Sequence, residues 1–260
     1  MQKALPEELF ESLSNRFCVI GDIAILTLPE ELDVWQTEIA EAVLCRSKNI
    51  RTVLRKVSKL EGDRRIARFE HLAGNKSTVT EHTEFGFRYR LDISRVFFNG
   101  RLAFERSRVA AQVKAGERVL VPFAGVGPFV LPLAARGAHV VALEKNREAC
   151  LWLAENAIEN HMSARIAIVN GDAFLLKEMI REEFDRIVIP APYGMDSILP
   201  VASSRAKSGG MVHFYTFKRR HQIEGLKKSY EDLGLKVLCC RSCGNVAPGV
   251  SRWAFDMMRC

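Results

Sequence analysis

The sequence predicts an α/β protein: a doubly wound, mostly parallel seven-stranded sheet of Rossmann-like type, preceded by a smaller N-terminal α+β domain. Three observations predict it. From Arg95 onward, apolar runs of strand length alternate with stretches of helical spacing. The first of these runs ends in a glycine-rich turn that opens an apolar helix. The last two runs are joined too closely for a crossover, which fits an antiparallel hairpin at the sheet edge. The domains are expected to span 1–94 and 95–260.

In the first domain, VIGDIAILTLP (19–29) reads as a strand with a turn at Gly21-Asp22. Helical spacing follows over 30–44, at Leu32, Trp35, Ile39, Ala42 and Val43. TVLRKVSKL (52–60) alternates as a strand, and 78–91 reads as a hairpin with Gly86 near its turn. In the second domain the seven strands are ERVLVPFA, AHVVALE, ARIAIVNGD, DRIVIPAP, SGGMVHFYTF, KVLCCRSC and SRWAFDMMR. The clearest helices are 147–161 and 222–233.

Composition bounds the function. The 260 residues are 48% hydrophobic and 27% charged, which excludes collagen-like and wholly disordered chains. The net charge of +7 points to an anionic partner. The uncharged run 119–135 approaches membrane length but holds Pro122, Gly125, Gly127, Pro128 and Pro132. It therefore reads as a strand and loop entering a helix, and no membrane partner is expected. Seven scattered cysteines and an acidic opening, MQKALPEELFES, fit a reduced, cytoplasmic protein without a secretory signal. Cys240 and Cys243 form a CxxC with no matching second pair, so ordinary thiols are expected and no metal.

The glycine turn carries the first functional signal. Phe123-Ala-Gly-Val-Gly-Pro-Phe129 joins a buried strand to a helix, and Gly125 and Gly127 let a ligand approach the backbone. Glu144 ends the second strand, where a carboxylate can accept from both hydroxyls of a ribose. Asp172 ends the third on the same sheet edge. Together they indicate a nucleoside cofactor. A dinucleotide site would carry a third glycine, which GVGPFV lacks, and the hairpin at the edge favours S-adenosylmethionine. The second signal is charge. Between Arg46 and Arg68 stand nine Lys or Arg against two acids, a net +7 equal to that of the whole chain. Arg51, Arg55 and Lys56 in this stretch are expected to track RNA phosphates, a solvated face being the alternative. Lys218, Arg219 and Arg220 form a smaller cluster, and His213 reads as a core histidine of its strand.

Several runs in order resemble a known family: VIGDIAIL (19–26), IRTVLRKVSKLEGDRRIARFEHLAG (50–74), DISRVFF (92–98), RLAFERSR (101–108), FAGVGPF (123–129) and VHFYTF (212–217). The chain resembles the archaeal and eukaryotic tRNA (guanine-N1)-methyltransferase family, which modifies guanosine 37 beside the anticodon. Its sister family transfers the aminocarboxypropyl group of the same cofactor in wybutosine synthesis. Arg101-Leu102, the proline after GVG and HFYT look more like the methyltransferase branch. The resemblance implies a class I S-adenosylmethionine-dependent methyltransferase fold, a small RNA-contacting domain, tRNA as partner and a monomer.

The resemblance also implies roles for single residues. Guanine N1 must lose its proton to become a nucleophile, and Glu105 is the expected base. From its surroundings alone Glu105 would read as a helix-surface acid beside arginines. Arg106 and Arg108 are expected to hold the negative O6 or nearby phosphates, and Arg65 to support the O6 charge. Phe97, Arg101, Phe123 and Pro190 join the glycines, Glu144 and Asp172 as cofactor-binding candidates. Tyr193 is placed to stack on an extruded base or to serve as a core or rim tyrosine. The sequence departs from the family at Val121 (an Asp in the family), Phe97 (Tyr), Ala67 (Arg, with Arg68 adjacent) and Pro190-Ala191-Pro192 (Asn-Leu-Pro). These departures leave two alternatives to methylation: the sister transferase, and an RNA-binding relative without turnover.

Overall fold

The computed structural model describes residues 17–60, 62 and 65–260. The acidic opening of the chain and Arg64 of the basic stretch lie outside them. The chain divides into two compact units, Met1–Gly100 and Arg101–Cys260.

The first unit holds a four-stranded sheet in the order β1 (Phe17–Ile20), β2 (Ile23–Leu26), β3 (Thr52–Lys56), β4 (Phe69–Gly74). β1–β2 and β3–β4 are antiparallel, and β2–β3 are parallel. The expected strand at 19–29 is thus a hairpin that turns at Gly21-Asp22. Gly21 is required there: its φ is +57°, and a Cβ would lie 2.1 Å from Thr80 Oγ1. The parallel β2–β3 pair needs a crossover, which α1 (Gln36–Arg46) supplies after two turns of 3-10 helix, Glu30–Trp35. Ile39, Ala40 and Val43 of α1 bury against Ala24, Leu26 and Val53. The hairpin β5 (Val79–Glu84) and β6 (Phe87–Asp92) turns at Phe85-Gly86, both at positive φ as a two-residue turn demands.

The second unit contains the seven-stranded sheet, in the order β12-β13-β11-β10-β7-β8-β9. β7 (Arg118–Pro122), β8 (His139–Glu144), β9 (Ile166–Asn170), β10 (Phe184–Ile189) and β11 (Ala206–Lys218) pair in parallel. β12 (Leu235–Ala247) and β13 (Val250–Arg259) form the expected hairpin. β13 inserts antiparallel between β11 and β12, so β12 becomes the edge. Side chains alternate across the sheet, and both faces are buried. Val119, Val121, Val140, Ala142, Val188 and Tyr215 pack under α2 (Ala103–Ala110), α3 (Val130–Ala135) and α4 (Arg147–Glu159). Leu120, Ile187, Ile189, Val212, Phe214 and Phe255 pack under α5 (Leu176–Met179), α6 (Ile198–Ser203) and α7 (Ile223–Asp232). Helices on both faces make the sheet doubly wound. Among the described residues, no helix is long and apolar enough to cross a membrane.

Candidate active site

The parallel strands end along one edge of the second unit, where open α/β sheets bind ligands. β7 ends at Pro122, and Phe123 turns the chain with φ +57°, a left-handed conformation costly for a residue with a Cβ. Gly125 and Gly127 follow at φ +56° and +95°. At Gly127 a Cβ would stand 2.4 Å from Leu153 Cδ1, so the loop is packed onto α4 as tightly as glycine permits. Asn146 caps α4, its side chain accepting from Glu148 N at 3.1 Å.

Glu144, at the end of β8, faces this loop. Its Oε2 accepts from Gly125 N and its Oε1 from Asn146 N, both at 2.8 Å. Burial pushes the carboxyl up, against backbone N–H groups that pull it down. Each oxygen keeps a second lone pair, so the group can still accept from two ribose hydroxyls. Asp172, beyond β9, accepts from Phe174 N at 3.0 Å and pairs with Lys145 Nζ at 3.1 Å. The Phe174 N–H and Lys145 hold its carboxyl below the usual range. Glycine backbone, a ribose-ready acid and a second acid on one edge fit an adenosyl group.

Glu105 lies on α2 and is 2% exposed. Its Oε2 accepts from Arg108 Nε at 3.0 Å and from the Tyr215 hydroxyl at 3.1 Å. Its Oε1 has no hydrogen-bond partner among the described residues; Arg241 Nε stands 3.4 Å away. Burial and the adjacent Glu105 push Tyr215 far above the usual phenol value, so it remains a donor. Tyr215 tilts against the Phe129 ring at 5.3 Å, and the Arg106 guanidinium lies 5.9 Å from the same ring. Phe129 closes the glycine loop. Two rings therefore connect the buried carboxylate to the cofactor edge.

The remaining candidates separate. Arg106 is buried, and Arg101 is exposed on a short 3-10 turn before α2. Pro190 follows β10 on the sheet edge, with Ala191 buried behind it. Tyr193 is 56% exposed, and its ring tilts on Phe217 at 5.3 Å, beneath which Arg252 stacks at 4.8 Å. In the first unit, Arg51 is exposed just before β3, and Lys56, the last residue of β3, is partly exposed. Arg55 is engaged within that unit, by Asp33 Oδ1 at 2.5 Å and Gln36 Oε1 at 2.9 Å. Arg65 sits at φ +52°, and burial holds its guanidinium below the usual value. Phe97 is 44% exposed.

The sequence reading missed Tyr215, Arg241 and Asp256. Arg108, expected to meet the base or a phosphate, instead forks onto Asp256 at 2.5 and 3.0 Å. One signal could have found Asp256: with Arg186 and His213 it is a polar interruption in strands that are otherwise apolar, on a sheet buried on both faces. The CxxC thiols are pushed up by burial, Cys240 to about 11 and Cys243 to about 12, and stay protonated.

Residues 80–238 match the TRM5/TYW2 methyltransferase domain, and residues 1–78 match the TYW2 N-terminal domain. The chain is 36% identical to the tRNA (guanine(37)-N(1))-methyltransferase Trm5b of Pyrococcus abyssi, across 97% of this chain and 77% of that protein. It is 33% identical to the tRNA(Phe) (4-demethylwyosine(37)-C(7)) aminocarboxypropyltransferase of Pyrococcus horikoshii, across 99% of this chain and 94% of that protein. The crystal structure of P. horikoshii TYW2 in complex with MeSAdo superposes with a TM-score of 0.78 at 30% identity, covering 98% of this chain and 94% of that one. With a domain match that runs from β5 into β12 and relatives aligned over nearly its full length, the chain belongs to the TRM5/TYW2 methyltransferase family.

Proposed function

We propose that the protein is an S-adenosylmethionine-dependent transferase acting on the purine at position 37 of tRNA, and that it places a methyl group on guanine N1. One observation carries the chemistry: Glu105 is a buried carboxylate with one oxygen held by Arg108 and Tyr215 and the other without a hydrogen-bond partner among the described residues. When bound at the glycine loop, S-adenosylmethionine supplies an electrophilic carbon on a sulfonium. Glu144 and Asp172 accept from its ribose and neighbouring polar groups, and Phe123, Gly125 and Gly127 bring the backbone against it. Phe97, Arg101 and Pro190 complete the proposed cofactor set. Glu105 Oε1 would take the N1 proton, freeing the N1 lone pair for the electrophilic carbon that the bound cofactor would supply. Arg106 and Arg65 are proposed as cations toward the negative O6, with Tyr193 as a stacking surface for the base. Arg51 and Lys56 are proposed to bind phosphates. All seven cysteines are free thiols, which supports a reducing compartment, the cytoplasm.

Aminocarboxypropyl transfer is the second reading, favoured by the TYW2 match over residues 1–78 and by Pro190-Ala191-Pro192 in place of Asn-Leu-Pro. The same N-terminal residues also fall within the stretch aligned with Trm5b, so they do not separate the two. The coproduct does. Methyl transfer leaves S-adenosylhomocysteine, and aminocarboxypropyl transfer leaves 5′-methylthioadenosine. Incubation with tRNA and S-adenosylmethionine is expected to yield the first, with one methyl on nucleoside 37. Methylthioadenosine would move the assignment to the sister reaction, and neither coproduct would overturn the enzyme reading.

A further inference from the structure

A chain of polar groups runs behind Glu105 on the buried face of the sheet. Glu117 pairs with Arg186, Nε to Oε2 at 2.8 Å and Nη2 to Oε1 at 3.2 Å, while Nη2 also donates to Gln112 O at 2.8 Å. Arg186 Nη1 meets His213 Nε2 at 2.5 Å. His213 Nδ1 meets Asp256 Oδ1 at 2.7 Å, the two residues being cross-strand partners of β11 and β13. Asp256 receives both terminal nitrogens of Arg108, whose Nε reaches Glu105. Gln112 Nε2 approaches Asp256 Oδ2 at 3.5 Å.

This arrangement fixes the protonation of His213. An arginine has no acceptor, so His213 Nε2 facing Arg186 must carry a lone pair, and the histidine proton sits on Nδ1. His213 is therefore neutral and can only donate to Asp256. Burial likewise favours the neutral ring, and His213 with Arg108 holds Asp256 ionised. Buried ion pairs are often replaceable by apolar residues of similar volume at little cost in stability, so the charges call for a reason beyond stability.

We propose that Asp256 is a positioning residue for the transfer, acting through Arg108 to keep Oε1 of Glu105 clear of a second hydrogen bond from that guanidinium. The proposal rests on the reading of Glu105 as the base. A planar guanidinium can grip a carboxylate with two parallel hydrogen bonds. Arg108 released from Asp256 would turn this grip on Glu105 and occupy both oxygens, Oε1 included. With its two terminal nitrogens anchored on Asp256, Arg108 offers Glu105 only Nε and leaves Oε1, whose neighbour is Arg241 Nε at 3.4 Å, without a hydrogen bond. His213 secures Asp256 from the other side.

The test is a double-mutant cycle of Asp256→Asn and Glu105→Gln, read by single-turnover transfer with tRNA and S-adenosylmethionine, alongside melting temperature and cofactor affinity. Residues that act as one unit are strongly non-additive. Asp256→Asn is expected to slow transfer at least tenfold in the wild-type background, at unchanged cofactor affinity. In the Glu105→Gln background it should slow transfer less than about twofold. Equal losses in both backgrounds, or no loss in the wild type, would overturn the positioning role and leave the base reading standing. A wild-type rate for Glu105→Gln alone would overturn the base reading and this proposal together. If Asp256→Asn does not fold, Arg108→Lys, which keeps the charge and loses the fork, is held to the same pattern.

Discussion

The two units use arginine in opposite ways. In the second, Arg186 on β10 and Arg108 on α2 have side-chain exposures of 5% and 16%, and their nitrogens are directed at Glu117, His213, Asp256 and Glu105. In the first, the Arg51 side chain is 73% exposed, and its nearest carboxylate, on Asp22, is 4.0 Å away. Arg55, four residues on, shows that the division is not simply one of address. It lies in the basic stretch, yet its side chain is 16% exposed and pinned by Asp33. A net charge therefore says how many cations a chain carries and not how many remain for a partner. The buried ones serve architecture and the site; the accessible ones are proposed to serve the nucleic acid.

Removing a buried cation should cost most. Arg186→Met strands Glu117 and His213 in the interior, and loss of one partner of a buried pair costs about 3–5 kcal/mol. Urea denaturation should show a loss in that range; a loss under about 1 kcal/mol would show that the pair is solvated and the contrast drawn here too sharp. Next comes Glu144→Ala, which removes charge-assisted hydrogen bonds worth about 1.5–3 kcal/mol and should weaken S-adenosylmethionine binding roughly ten- to a hundredfold by calorimetry. Unchanged affinity would detach the β8 terminus from the cofactor. The smallest stability effect belongs to the accessible pair. Arg51→Ala with Lys56→Ala should leave stability within about 0.5 kcal/mol of wild type. The same change should flatten the salt dependence of tRNA binding by about two units of slope, one per lost phosphate contact. If Arg55→Ala flattens the slope as much, engaged and accessible cations are equivalent after all.

Much of this molecule was legible in its sequence, because local rules and the fold agree. Strands buried on both faces read as apolar runs. Gly21-Asp22 marks a turn by its own chemistry, and the glycines of 123–129 mark the passage from β7 into α3. Glu105 was legible only through its resemblance to a family, since an acid followed by arginines on a short helix reads as surface. Its burial depends on Tyr215 and Arg241, 110 and 136 positions further along the chain, and on which face of the sheet they occupy. Asp256 was illegible for the same reason: its partners, His213 and Arg108, come from a neighbouring strand and a helix distant in sequence. A polar residue in a two-sided apolar strand is the one local trace such a network leaves.

The central claim is that a buried carboxylate, one of whose oxygens accepts no hydrogen bond among the described residues, takes the proton. Glu105→Gln tests it most directly, because Gln keeps the size and the bonds to Arg108 and Tyr215 on one side yet cannot accept a proton. Single-turnover transfer at saturating tRNA excludes product release from the rate. The account predicts a loss of about 10²–10⁴-fold, the usual worth of a general base, with S-adenosylmethionine and tRNA affinities unchanged. A rate near that of the wild type would contradict it and leave Glu105 as a structural partner of Arg108.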